Sequence, residues 1–408
     1  MERMEEKVSG SDYRQYHHFL SESSWDAVPV IRQVARDMAA VCEGQKRKTG
    51  LPIGLIVDES ATVKKGKASV GVKRQYAGVV GKVENCQVGV YASLCHDSSA
   101  TLVNERLFLP EAWASDSKRC EKAGIPEEAR QHQTKPQLAL EMIDELDNLG
   151  VQWDWIGGDG LYGHSYELTV ELDERDLFYV LDVHKDERIY TEEPQIAVPP
   201  RTHAQGRTPT TPQADRDPIR LDRYCAKLSK ADWDLVKIRK GEKGWLKRHV
   251  HVATVWVWNE EDAHARRRTL VISKTPGRTP KTKYSFSNGT LEDYTVQEYA
   301  YFQAQRYWVE RCFDDAKNEL GLSDYQVRKW QGWHHHQALV MMAALFLLKE
   351  RLSQQETVPL MSLRDARLLI IARLFGTDED VETCLKQMRV RHEKRQKSID
   401  WWYMWDKE

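Results

Sequence analysis

The chain has 408 residues, enough for two or three domains, with 41% hydrophobic and 30% charged residues. The longest strongly apolar run, Ala338–Leu348, is too short to span a bilayer, and MERMEEKVSG at the N-terminus has no apolar leader, so a cytoplasmic protein without a membrane partner is expected. Net charge is −2, which by itself predicts no nucleic-acid partner, and the seven scattered cysteines lack the paired spacing of a zinc site or a disulfide framework.

Charge is unevenly placed. Lys237–His251, Arg266–Lys283 and Lys386–Lys397 are strongly basic stretches that could meet phosphates, although most such runs are solvated faces. In chain order, Val28, Ile31, Val34 and Met38 recur at helical spacing and predict a helix over Trp25–Val41. Pro52–Val57 reads as a buried strand closed by Asp58. Ala68–Tyr76, Gln87–His96 and Ala100–Leu109 read as further strands. Lys135–Leu149 reads as a helix stopped by Gly150, Trp153–Gly158 as a strand ending at Asp159, Tyr162–Asp173 as helix and Leu177–Val183 as strand. The order fits an α/β fold with a mixed sheet flanked by helices. Pro194–Pro218 reads as loop, His249–Trp258 and Thr269–Ser273 as strands of an inserted basic subdomain, and helices resume near Glu298. The terminal cluster Trp401–Trp405 is expected to dock on the core.

Three acids stand out by position: Asp58 and Asp159 after apolar strands, and Glu310 on a helix. Carboxylates so placed suit hard divalent cations, and a pair of such ions serves phosphodiester attack. Position alone leaves Asp116, Asp154 and Asp182 as competitors. Arg306, Glu310 and Lys317 would fall within about 40° of one another on one helix, opposite Val309, Phe313, Ala316 and Leu320. That face could hold a metal and grip phosphates, or be a solvated ion-pair face. A two-carboxylate glycosidase would leave the third acid and the basic stretches unexplained.

The segments 55–76, 81–91, 155–163 and 306–336 resemble, in order and spacing, the cut-and-paste DDE transposases of bacterial insertion sequences, in the branch with a strand-rich insertion between the second Asp and the Glu. The resemblance implies an RNase H-like, retroviral-integrase-type core and a helical C-terminal part. It divides the chain into an N-terminal helical segment, shortened as a DNA-end-binding region (1–50), catalytic core (51–184), β-rich basic insertion (185–297), core with the Glu helix (298–352) and C-terminal helices (353–408). It implies that Asp58, Asp159 and Glu310 bind two Mg²⁺ ions, with Mn²⁺ as a substitute. Double-stranded transposon ends and target DNA are the implied partners, and two copies synapse the ends as a homodimer. In the family signature a Tyr precedes the Arg, Glu and Lys. Here Arg306, Glu310 and Lys317 fit, and Gln303 stands at the Tyr position. Lys73 and Arg74, with Lys64, Lys65 and Lys67, are candidates to line the DNA channel. Trp245, Trp256 and Trp258 are candidates to stack on a displaced base. His334–His336 make a poor chelate, because consecutive helical residues diverge. No nucleotide cofactor is expected: Gly157–Gly160 lacks the Gly-Lys-Ser/Thr ending of a phosphate loop. The competing functions are a non-catalytic DNA-binding relative, acting as repressor or domesticated protein, and a structure-specific metal nuclease without strand transfer.

Overall fold

The computed structural model describes residues 10, 12–200, 210–260 and 262–405. The chain divides into two bodies: Met1–Trp153 with Tyr307–Lys407, and Asp154–Arg306.

In the first body, helices α1 (Tyr13–Ser21) and α2 (Ala27–Thr49) are capped by Asp12 and Asp26, whose side chains accept N–H groups of the first turn. α2 stops at left-handed Gly50, φ 72°. Of the four apolar positions that predict this helix, Ile31, Val34 and Met38 are buried, and Val28 faces solvent. Strands β1 (Gly54–Val63), β2 (Lys73–Ala77), β3 (Lys82–His96) and β4 (Ser99–Leu107) form an antiparallel sheet. β3 carries β1 along one edge and β2 and β4 along the other. β1 differs from expectation: it continues through Asp58 to Val63, because Glu59, Ser60 and Thr62 stay in register with Val90, Gly89 and Gln87. The strand expected over Ala68–Tyr76 begins only at Lys73, after the chain turns through left-handed Gly71, φ 70°.

Short helices α3 (Glu111–Ala114) and α4 (Ser117–Ala123) precede α5 (Lys135–Asn148), which opens on a Thr134–Gln137 capping box and buries Leu138, Met142 and Leu146. α5 also supplies Glu145, which accepts from Arg106 Nη2 at 2.7 Å, Arg32 Nε at 2.8 Å and Asn104 Nδ2 at 3.1 Å. Burial opposes its ionisation, and the three donors outweigh this, holding its carboxyl at about 2. A depressed folded-state value gives stability above the unfolded carboxyl value, lost as pH falls towards 2. Glu145→Gln should therefore be destabilised near neutrality and lose less stability than wild type between about pH 4 and pH 2; urea unfolding across that window checks this.

The second body holds β5 (Trp155–Gly158), α6 (Gly160–Gly163), α7 (Tyr166–Glu174), β6 (Tyr179–Asp182), α8 (Leu221–Lys227), β7 (Asp234–Gly241), β8 (Gly244–Val257), β9 (Arg266–Lys274), β10 (Thr282–Ser287) and α9 (Val296–Gln305). Within it the strand order is β7-β8-β9-β10-β6-β5. β5 and β6 are parallel and the remaining neighbours antiparallel. The helix expected over Tyr162–Asp173 is two, because Ser165 caps a fresh start. Phe302 of α9 meets Trp155 and Phe178 at ring distances of 5.4 and 5.3 Å. Part of the loop expected over Pro194–Pro218, residues 201–209, lies outside the described residues.

The chain then returns to the first body with α10 (Tyr307–Glu319), α11 (Trp330–Ser353), α12 (Leu363–Phe375) and α13 (Asp378–Trp405). α11 contains the Ala338–Leu348 run, mostly buried, with Met342 and Phe346 exposed. No helix among the described residues is long and apolar enough to cross a membrane. The tryptophans at the end of α13 do not dock on the core as expected: Trp401, Trp402 and Trp405 are exposed. The architecture is mixed α/β with a helical C-terminal part.

Candidate active site

Register explains what surrounds Asp58. Residues directly opposite in an antiparallel ladder share a face. Asp58 pairs with Tyr91, and Tyr91 with Glu105. The Tyr91 ring packs edge-on against Phe313 of α10 at 5.3 Å, and its hydroxyl donates to Gln337 of α11 at 3.1 Å. Glu105 accepts from His334 of α11, Nδ1 to Oε1, at 2.6 Å. Burial first, and then the Glu105 charge, push the Tyr91 hydroxyl far up. The row Asp58–Tyr91–Glu105 therefore lies under α10 and α11. The adjacent row Glu59–Val90–Arg106 belongs to α5, where Lys135 binds Glu59 at 2.7 Å and Glu145 binds Arg106.

α10 thus brings the Glu310 helix onto the face of Asp58. Val309, Phe313 and Ala316 are buried as the core stripe predicts, and Glu310 is exposed. Lys317 sits one heptad on, within about 20° of Glu310 on the helix. Burial lowers the Lys317 amine, and the charges of Asp314 and Asp58 oppose that shift. Asp58 is nearly buried, and its Oδ1 accepts the Glu59 N–H at 2.8 Å. That bond fixes one carboxylate oxygen.

Asp159 belongs to the second body. It follows the fully buried β5 and caps α6, its Oδ1 accepting the Leu161 N–H at 2.9 Å. Gly163, the last residue of α6, sits so close to β6 that a Cβ there would lie 2.0 Å from the Asp182 carbonyl oxygen.

Arg306 lies between α9, which ends at Gln305, and α10, which begins at Tyr307, with helical dihedrals of φ −54° and ψ −26°. Its Nε lies 3.0 Å from Asp182 Oδ2. Asp182 also accepts from Ser285 Oγ at 2.7 Å, and Ser285 Oγ accepts from buried Gln303 at 2.8 Å. Gln303 is thus part of a polar network on β6 and β10, a role that sequence reasoning missed because nothing in the sequence links 182, 285 and 303. The same network engages Asp182, one of the competing acids. Asp116, another, caps α4 through the Arg119 N–H.

The remaining candidates scatter. Lys73 and Arg74 are exposed on β2, and Lys65 and Lys67 are exposed in the preceding loop. Lys64 is different: its amine donates to the Tyr325 carbonyl and lies 4.2 Å from that ring's centre, and burial brings it down to about 8. Trp256 and Trp258 are half-buried; Tyr190 pairs with the Trp256 backbone, and Trp258 Nε1 donates to the Asp262 carbonyl at 2.9 Å. Trp245 is half-buried near Lys240. The three consecutive histidines diverge: His334 to Glu105, His335 to the Leu20 and Trp25 carbonyls, and His336 to the Tyr325 ring.

The chain is 28% identical over 325 residues to a probable transposase for insertion sequence element IS701 from Microchaete diplosiphon, covering 79% of this chain and 70% of that one. Among solved structures, a piggyBac transposase synaptic complex with hairpin DNA matches at a TM-score of 0.39 and 10% identity over 84% of this chain. The chain spans 57% of the length of that protein. The family profile of the DDE superfamily endonucleases matches residues 1–245, the stretch that contains both Asp58 and Asp159. With well over half of its length matched, the chain belongs to the DDE superfamily endonucleases.

Proposed function

We propose that this protein is an insertion-sequence transposase that cleaves transposon ends and joins the released 3′-OH to target DNA. The observation that carries the reading is the family match across Asp58 and Asp159, together with the packing of the Glu310 helix, through Phe313, on Tyr91 beside Asp58. The proposed fold of the core is RNase H-like, built from residues 51–184 and 298–352, with 185–297 as a strand-rich insertion.

Asp58, Asp159 and Glu310 are the proposed ligands of two Mg²⁺ ions, with Mn²⁺ as a substitute. The donor set fits: all three offer carboxylate oxygens, and backbone amides orient the two aspartates. When bound, such ions ease deprotonation of the attacking water or 3′-OH and neutralise charge on the leaving oxygen. The protein's part is to hold the phosphodiester in line. Asp58 is fixed within a strand, Asp159 is fixed at a helix start, and Glu310 reaches from a helix. Lys317, half-buried on the helix of Glu310, is suited to steady a phosphate oxygen. Lys73 and Arg74 are suited to contact the backbone farther along the duplex. Arg306, with its Nε beside Asp182, is the proposed phosphate contact at the Arg position of the family signature. Trp256 and Trp258 remain the proposed stacking side chains. A homodimer on paired DNA ends and a cytoplasmic, nucleoid-associated location go with this reading.

Nicking of a supercoiled plasmid carrying the element's ends tests the reading. Cleavage in Mg²⁺ or Mn²⁺ and none in EDTA is expected; no cleavage in either ion overturns it. Replacing Lys73 or Arg74 by Ala should weaken binding across sequences alike. Each change should reduce the slope of log affinity against log salt by about 1, as read by fluorescence anisotropy.

A further inference from the structure

Between Val63 and Val83 the first body carries six basic residues, Lys64, Lys65, Lys67, Lys73, Arg74 and Lys82, and no acid. All but Lys64 are exposed. The stretch closes in a hairpin, β2 and the start of β3, whose tip is apolar and uncovered: Val79 is 57% exposed and Val80 43%. Tyr76 and Val83, directly opposite each other beside the tip, are exposed by 64% and 53%. The hairpin is well braced. The Gly81 N–H donates to the Ala77 and Gly78 carbonyls at 3.0 and 3.2 Å, with Gly81 left-handed at φ 64°. At the base Ala77 and Cys86 are buried with Ala61 and Val88, and Asn85 Nδ2 donates to the Lys64 and Gly66 carbonyls at 2.6 and 3.0 Å. The first acid beyond the tip, Glu84, pairs with Lys82 at 3.5 Å.

An apolar tip ringed by bases calls for an occupant that is negative at its edges and apolar within. Duplex DNA has that order across its major groove: phosphates line both rims, and the C5-methyl of thymine is the apolar feature on the floor. The groove is about 12 Å wide and admits a two-stranded β-ribbon, whose strands lie about 5 Å apart. Valine side chains carry no hydrogen-bonding group, so among the features of the base edges this tip selects the methyl. Position agrees. β3 runs eight residues from Val83 to Tyr91, the partner of Asp58, which sets the tip at most about 27 Å from that acid, roughly eight base-pair steps. We propose that the β2–β3 hairpin enters the major groove of duplex DNA, with Lys73, Arg74 and Lys82 on the phosphates and Val79 and Val80 on thymine methyl groups, so that the protein prefers thymine-bearing sequence away from the reacting phosphate. The proposal rests on the reading of this chain as an enzyme that acts on DNA.

Fluorescence anisotropy of the full chain on a short alternating A·T duplex, and on the same duplex with uracil for thymine, tests it. Uracil lacks only the C5-methyl, and the repeat makes register immaterial. Wild type should bind the thymine duplex at least about fourfold more tightly, the gain from burying one carbon group. Val79→Ser with Val80→Ser should bind both duplexes with equal affinity. Both valines are exposed, and the quantity read is a ratio within one preparation, which a loss of folded protein does not change. Lys82→Ala should weaken binding to both duplexes and keep the ratio. Equal wild-type affinity for the two duplexes overturns the proposal and leaves the transposase reading standing, and so does a ratio that the valine changes do not move. Wild type that binds neither duplex overturns both. Capture of phosphatidylglycerol vesicles by wild type, lost on the valine changes and without a thymine preference, overturns the proposal and makes the tip a lipid anchor.

Discussion

Asp58→Asn is expected to bind transposon-end DNA as wild type does and to lose cleavage by at least about a thousandfold, a size typical of removing a preorganised electrostatic group from a reacting centre. The change keeps shape, strand register and the acceptor for the Glu59 N–H, so the fold has no reason to fail. What it removes is one negative charge and a hard oxygen donor. Asp159→Asn and Glu310→Gln should behave alike. The three losses should not add, because ligands of one metal site act as a unit. Gel-shift and cleavage assays on the same preparations separate binding from chemistry. Full activity in any one variant would mean that its acid is not a ligand, and Asp154 would then be the next candidate.

Gly163→Ala is expected to damage both stability and catalysis. The added Cβ would lie 2.0 Å from the backbone oxygen of Asp182, which cannot rotate away as a side chain can. Either α6 or the end of β6 must move. α6 is one turn long and starts from Asp159, so a shift there re-aims the proposed ligand. Overpacking of this kind costs about 1–3 kcal/mol, and sometimes more. Chemical denaturation should show that loss, and cleavage should fall more steeply than the unfolded fraction explains. A stable, fully active Gly163→Ala would show that the β6–α6 approach is not what holds Asp159.

What the sequence reveals follows from how local each signal is. α2, α5 and the stripe Val309, Phe313, Ala316 were readable because helical periodicity and caps are written within a few residues. β1 was found but cut short at Asp58, since the polar half of a strand is held by ladder bonds that composition does not display. Asp58 and Asp159 were visible because each lies in a short buried strand or directly after one. The approach of Arg306 to Asp182 is not visible in the sequence, because the two lie far apart along the chain. The Gln303–Ser285–Asp182 network was hidden for the same reason. The aromatic composition of Trp401–Trp405 suggests docking on the core, and Trp401, Trp402 and Trp405 are exposed.

The central claim is strand transfer, and joining tests it more directly than nicking does. A pre-cleaved transposon end with a labelled 3′-OH, incubated with the protein, Mg²⁺ and a target plasmid, should yield the label covalently joined to target DNA on a denaturing gel. The joined product should be absent with Asp58→Asn and with a 3′-dideoxy end. Efficient cutting of ends or plasmid with no joined product would contradict the claim and leave a metal-dependent nuclease. Binding without cutting or joining would leave a DNA-binding relative of the family.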